Sequence, residues 1–404
     1  MVQKFRLVAP RAEMALPRGR KLRHWLFDGS ADVLVRLLTV PVRPQTPPSI
    51  PAESQDGRCA TQTAAGDMGG RAKCKADCEA DCEADCEVPA GFSRHHKQAK
   101  TLGGNNALTF SDLPPEVHQL VFDHIDYIED VVCLGLASRY FWTFARDYIH
   151  TYYMSFLGRW AGKRIVCVGE DVKPGDYPPG LFSVEELDTL QQTTTNVLVD
   201  DDYIEYVRCN QPFTLYHFAM PSISDMEKDA SLEAESWRIY SHCKDRAKHQ
   251  DPAFQATRSE ILAEKSTYMS QEQPWIIRNL TTKEFIRSEA IAIKPRYIHG
   301  PNIQVLGFGE VVLSRICWST SSSVGMNDTT NISRGVWAGH RFDITTLARH
   351  EDDTNGAGWS DVSDEVAREI ANIWESEYGA DLRDELWYWY QRRPNRNYFD
   401  TIPP

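Results

Sequence analysis

From residue 107 onward, apolar positions recur at helical spacing in three successive blocks. In "PEVHQLVFDHI", Val117, Leu120, Val121, His124 and Ile125 fall at i, i+3, i+4, i+7 and i+8, one face of a helix. Pro114 and Pro115 stand at its entrance, where backbone N–H groups have no intrahelical partner to lose. Asp130 is placed to cap a short second helix, "VVCLGLA", and Ser138 to cap a third. In the third, Phe141, Phe144, Ala145, Tyr148, Ile149 and Tyr152 make a continuous stripe. The spacing predicts a three-helix bundle over residues 106–157. A unit of that size cannot hide all of its apolar surface, so a partner face is expected.

After Trp160 the pattern changes. "KRIVCVG" reads as a strand and "DVKPGDYPPG" as a loop, and Ser183 with Glu186 forms a capping box that opens a helix. Helices are expected near 231–247 and 254–266. "WIIRNL" and "KEFIRSEAIAI" flank a "TT" turn and predict a hairpin, with "GEVVLSRICWS" and "RGVWAGHRFDIT" as further strands. In the last of these, Val336, Ala338, His340, Phe342 and Ile344 alternate with Trp337, Arg341 and Asp343. "SDEVAREIANIWESEY" is amphipathic, with Val366, Ile370, Ile373 and Trp374 on its core side, and "LRDELWYWYQRRP" is aromatic enough to dock on the body. Residues 160–404 therefore read as an antiparallel-sheet α+β domain, and the chain as α+β.

Residues 1–105 show no sustained periodicity, and "PVRPQTPPSIP" reads as extended linker, so a mostly disordered tail is expected there. Residues 1–50 carry nine Lys and Arg against three carboxylates, so the rest is more acidic than the net −13. An acidic body excludes a general nucleic-acid binder, which needs clustered cations for phosphates. No membrane partner is expected either: "HWLFDGSADVLVRLLTVPV" is interrupted by Asp28, Asp32 and Arg36. "RGRKLR" (18–23) is a short nuclear-type cluster within a basic tail. With no apolar signal peptide and cysteines scattered singly through core segments, free thiols in a reducing compartment, cytoplasm or nucleus, are the expectation.

The block at residues 108–152 resembles an F-box. The pattern is carried by Leu113, Pro114, Glu116, Val117, Leu120, Ile125, Asp130, Val131, Leu134, Leu136, Ser138, Arg139, Phe141 and Trp142, with Ile125 where Leu is common. More loosely, "WAGKRIVCVGE", "WIIRNLTTKEFIRSEAI", "GFGEVVLSRICWS" and "GVWAGHRFDI" are similar to segments of filamentous-fungal F-box proteins of unassigned substrate. The resemblance implies docking to the Skp-type adaptor of a cullin-based (SCF-type) ubiquitin ligase, with Leu113, Pro114, Glu116, Val117, Leu120, Val121, Ile125, Leu134, Leu136, Ser138, Phe141 and Trp142 as the binding residues. It implies a non-catalytic substrate receptor whose residues 160–404 hold an unknown target protein. No cofactor is expected.

Other candidate chemistry is weak. His340 and Asp343 are three apart on a predicted strand, so they point to opposite faces and form no simple dyad. "EDD" (351–353) beside His350 reads as a solvated acidic loop, and "RHHK" (94–97) as surface linker. "GFGE" (307–310) lacks the strand-to-helix context of a phosphate loop. Cys74, Cys78, Cys82 and Cys86 recur every four residues, suggesting an alternative metal- or redox-responsive role. On one helix the outer two would stand roughly 18 Å apart, so four thiolates cannot surround one zinc. The expectation is duplicated low-complexity sequence with no metal site.

Overall fold

The structure, a computed structural model, describes residues 2–16, 19–44, 110–200, 206–219, 232–246, 252–263, 265–327, 330–355 and 358–379. It divides the chain into two units, Met1–Pro44 with Gln119–Pro404, and Gln45–His118. The class is α+β. The cysteine repeat, "RHHK", most of the proline-rich stretch and "LRDELWYWYQRRP" lie outside the described residues.

The first stretch departs from the expected tail. Residues 2–44 form β1 (Lys4–Ala9), β2 (Met14–Ala15), β3 (Arg20–Lys21), α1 (Leu22–Phe27) and α2 (Asp32–Leu38). In β1 the period of two is real: Phe5, Leu7 and Ala9 enter the main core while Val8 enters a smaller one on the other side. Leu34, Val35, Leu37 and Leu38 of α2 are buried, so the run that is too polar to span a membrane is a core helix. Beyond α2 the chain stays attached, with Val40 N–H donating to Ile344 at 2.8 Å and Val42 N–H to Tyr268 at 2.9 Å.

The helical block follows as α3 (Pro115–Asp123), α4 (Ile128–Gly135) and α5 (Arg139–Met154). Ser138 caps α5 as expected, its hydroxyl accepting from Phe141 N–H at 3.1 Å. Asp130 is not the N-cap: α4 begins at Ile128 behind Tyr127, and Asp130 lies in its first turn, where a carboxylate suits the helix dipole. The chain beyond α5 is tied to α2. Gly158 and Trp160 donate backbone bonds to Arg36 and Leu37 of α2 at 3.0 and 2.9 Å. From there β4 (Val166–Gly169) joins the sheet and α6 (Val184–Gln192) starts on its Ser183–Glu186 capping box. A hairpin, β5 (Thr194–Asp200) with β6 (Tyr206–Pro212), leads to α7 (Leu232–Arg246), α8 (Pro252–Ile261) and α9 (Lys265–Tyr268).

The predicted hairpin is present as β7 (Trp275–Asn279) and β8 (Glu284–Arg287), but its tail "SEAI" is helical, α10 (Ser288–Ile291). A short pair, β9 (Ile298–His299) and β10 (Asn302–Ile303), precedes α11 (Phe308–Ile316) and β11 (Cys317–Trp318). Thus most of "GEVVLSRICWS" is a helix, and every residue of α11 is buried. Its close approach to the start of α2 needs Gly309, where a Cβ would sit 2.2 Å from the Ala31 carbonyl oxygen. Last come β12 (Phe342–Thr346), α12 (Leu347–Thr354), β13 (Ser360–Asp361) and α13 (Ser363–Tyr378). The predicted strand from 334 shrinks to β12: Val336 is 66% exposed while Trp337 and Ala338 are both buried, so the expected alternation is absent there.

Two sheets organise the first unit. One runs β11-β4-β1-β2 with β3 also on β1, antiparallel except for β11 on β4. The other runs β12-β7-β8-β13, parallel only at β13. A single continuous core joins α1, α2, α4, α5, α7, α11 and α13 with both sheets, so the helices of 128–154 are built into the body instead of standing as a separate bundle. Tyr153 hydroxyl donates to Ile261 at 2.6 Å, and His150 Nδ1 lies 2.9 Å from the Tyr268 hydroxyl, tying α5 to α8 and α9.

Candidate partner-binding face

Of the Gln45–His118 unit, residues 110–118 are described. Leu113 N–H donates to Phe110 at 3.3 Å, and the Pro114 carbonyl accepts from Val117 and His118, at 3.0 and 3.2 Å. Proline at this entrance fixes the backbone without costing a helical bond. A ring nitrogen of His118 sits 2.7 Å from the Phe110 carbonyl, and the two rings meet edge-on at 5.0 Å. Leu113 is half-buried, whereas Pro114, Glu116 and Val117 are exposed.

In the remainder of α3, the apolar face marked by the spacing is only partly covered. Leu120 is 56% exposed and His124 exposed, while Val121 and Ile125 are half-buried. The inward residue is Phe122, only 1% exposed, its ring stacked on Phe144 at 5.8 Å and Tyr148 at 5.7 Å. Polar anchors hold this orientation. Tyr148 hydroxyl donates to Asp123, and Gln119 bonds both of them. Burial, then the Asp123 hydrogen bond and charge, push the Tyr148 phenol up to about 12, so it stays a donor at neutral pH.

α4 and α5 cross closely because residue 135 has no side chain: a Cβ on Gly135 would meet Ala145 Cβ at 2.4 Å. Their outer surface presents Tyr127, 68% exposed, and Tyr140, also exposed, with Leu134 and Leu136 half-buried beside the core. Phe141 and Trp142, also among the expected binding residues, are both buried in the core. Trp142 Nε1 donates to Glu260 at 3.0 Å, and Arg146 grips the same carboxylate at 2.7 and 2.9 Å. Ser138 is occupied as a helix cap. The signal that could have separated inner from outer residues is the ring-rich i, i+3, i+7 stripe of α5, which leaves Phe122 as the one aromatic of α3 to meet it.

The remaining candidates are structural. His340 Nδ1 meets Asn279 Nδ2 at 3.0 Å while Asp343 is bound by Arg278, so they form no dyad. "EDD" lies in α12, not a loop, and Asp353 reaches Arg278 at 3.2 Å. Gly307 does open a helix, α11, but Glu310 already accepts its N–H at 3.0 Å, so a carboxylate occupies the place an anion would take. Among the described residues no group of three or more His, Cys, Asp or Glu is placed to hold a metal ion. No described helix is long and apolar enough to cross a membrane. No family model matches the chain, and neither a curated protein nor a solved structure matches it.

Proposed function

We propose that this chain is an F-box substrate receptor: residues 108–152 dock to the Skp-type adaptor of a cullin-based ubiquitin ligase, and the C-terminal body holds a target protein. Its place of action is the cytoplasm or nucleus, and the transfer chemistry belongs to the rest of the ligase. One observation carries the reading. In the segment that resembles an F-box, Leu120 of α3 is 56% exposed, although two residues on, the helix is fully buried at Phe122. An exposed apolar side chain with no described element packed over it is what a docking helix needs. Fully covering a side chain of Leu size is worth roughly 1.5–3 kcal/mol, so a few such residues suffice to anchor a partner. Glu116 opens α3, where its charge favours the helix N-terminus and leaves the apolar row free.

The test is co-purification of the full chain with a purified Skp-type adaptor. Deleting 108–152 is a poor experiment, because it removes Phe122, Val131, Val132, Phe141 and Tyr148 from beneath the body's core. Point changes at the outer residues are the better one. Leu113→Ala with Pro114→Ala, and separately Leu120→Asp, should abolish adaptor capture while the thermal midpoint holds. Adaptor binding that persists in both variants, or a wild-type chain that never binds it, refutes the reading.

A further inference from the structure

Two thiols from distant parts of the chain meet between α4 and α7. Cys133 Sγ and Cys243 Sγ are 3.9 Å apart, 110 residues from each other in sequence and each near the middle or end of its helix. Cys133 is half-buried and Cys243 buried, so Cys133 is the more accessible thiol of the pair. A disulfide needs the sulfurs at about 2.05 Å and the Cβ atoms about 3.5–4.5 Å apart. The 3.9 Å thiol contact already brings the two sulfurs within van der Waals reach, leaving about 2 Å of approach for the bond to form. The neighbouring helices are already fixed in register, because Arg238 of α7 pairs with Glu129 of α4 as well as with its own Glu235.

We propose that Cys133 and Cys243 are a modification site, a thiol–disulfide pair that staples α4 to α7 when the chain meets hydrogen peroxide. The Cys133 thiolate attacks one peroxide oxygen, the O–O bond breaks, and hydroxide leaves, giving a sulfenic acid. Cys243 sulfur then attacks Cys133 sulfur, the S–O bond breaks, and the oxygen departs as water. Two thiols and one peroxide become one disulfide and two waters; a dithiol reverses it. The other described pair does not compete. Cys167 and Cys317 lie opposite each other on β4 and β11, both wholly buried, with the Cys317 thiol donating to the Leu313 carbonyl at 3.1 Å. Burial also pushes the Cys167 thiol up, away from the reactive thiolate.

The loop closed by the new bond spans over a hundred residues, so the oxidised chain gains stability mainly by restricting its unfolded state. The proposal stands apart from the adaptor reading and fails or survives separately. The full chain carrying Cys59, Cys74, Cys78, Cys82 and Cys86 each changed to Ser is treated with limiting peroxide, alkylated, and digested without reductant. Mass spectrometry should find one cross-linked peptide joining 133 and 243, lighter than its reduced parts by two hydrogens, and thermal melting should rise by several degrees. Dithiothreitol should abolish both, and Cys133→Ser should show neither. Recovery of 133 and 243 as alkylated thiols, a cross-link from 133 to any other cysteine, or an unchanged melting point overturns it.

Discussion

Arg278 and Asp343 face each other in register across β7 and β12, joined by two parallel hydrogen bonds of 2.8 and 2.7 Å with side chains only 8% and 9% exposed. The Trp359 ring lies under the guanidinium at 5.7 Å. Such a pair fixes strand register more than it adds stability, because desolvation offsets most of the attraction. Asp343→Asn leaves Arg278 with only the more exposed Asp353, and should cost about 3 kcal/mol. Arg278→Met with Asp343→Leu should recover most of that loss. Urea unfolding followed by circular dichroism checks both, and a double variant as unstable as the single one contradicts the account.

Gly135 is the second pressure point. Alanine there would gain about 1 kcal/mol of helix propensity, but its methyl group would meet Ala145 Cβ at 2.4 Å. Ala145 has no rotamer by which to retreat, so the helices must separate. Overpacking costs about 1–3 kcal/mol and wins. Gly135→Ala should lower the urea midpoint, and Ala145→Gly added to it should raise the midpoint again. No rescue by the second change would place the damage elsewhere.

Against this background, what the sequence made legible is specific. The Ser138 cap, the Ser183–Glu186 box, the β7–β8 hairpin and the buried stripe of α13 are local signals, each set by residues within one element. The failures share a cause, the absence of contrast between two environments. α11 is buried all round, so its apolar run carries no 3.6-residue period and reads as a strand; only the spacing of Gly307 and Glu310 announced a helix. β1 finds its partner β4 more than 150 residues away, and nothing in "KFRLVA" points to it. In α3 the period was legible but the buried residue was not: Phe122, outside the expected stripe, is the one that turns inward, because a face that meets a partner and a face that meets a core have the same composition. The Cys133–Cys243 contact, made across 110 residues, has no sequence signature at all.

Five histidines make the fold sensitive to acid. His150, His217, His299, His340 and His350 are all held below the usual histidine range, with burial the largest cause in each. The folded chain therefore disfavours their protonation, while the unfolded chain takes up protons near pH 6.5. Their contribution is complete above about pH 6.5 and is lost as pH falls through the lower folded values. His350 is the test case: its ring lies 5.0 Å from both Phe285 and Trp359, and its Nδ1 is buried without a hydrogen-bond partner. His350→Phe should pack there as a ring that never charges. The urea midpoint should drop between pH 7.5 and 5.5 in the wild type and drop less in the variant; equal slopes would remove His350 from the account.

The orientation of α3 gives a sharper prediction, because Leu120 and Phe122 sit two residues apart and differ completely in surroundings. Leu120 is 56% exposed, so Leu120→Asp replaces a solvent-facing side chain and should change stability by no more than about 0.5 kcal/mol. Phe122 is 1% exposed and stacked on Phe144 and Tyr148, so Phe122→Ala should cost about 3–5 kcal/mol. Paired melting curves decide the matter without any partner present. If Leu120→Asp unfolds the chain and Phe122→Ala does not, the helix is turned the other way, and the apolar row belongs to the protein's own core. If the order holds, a tolerated Leu120→Asp that nonetheless loses the adaptor isolates a binding defect from a folding defect, which neither measurement achieves alone.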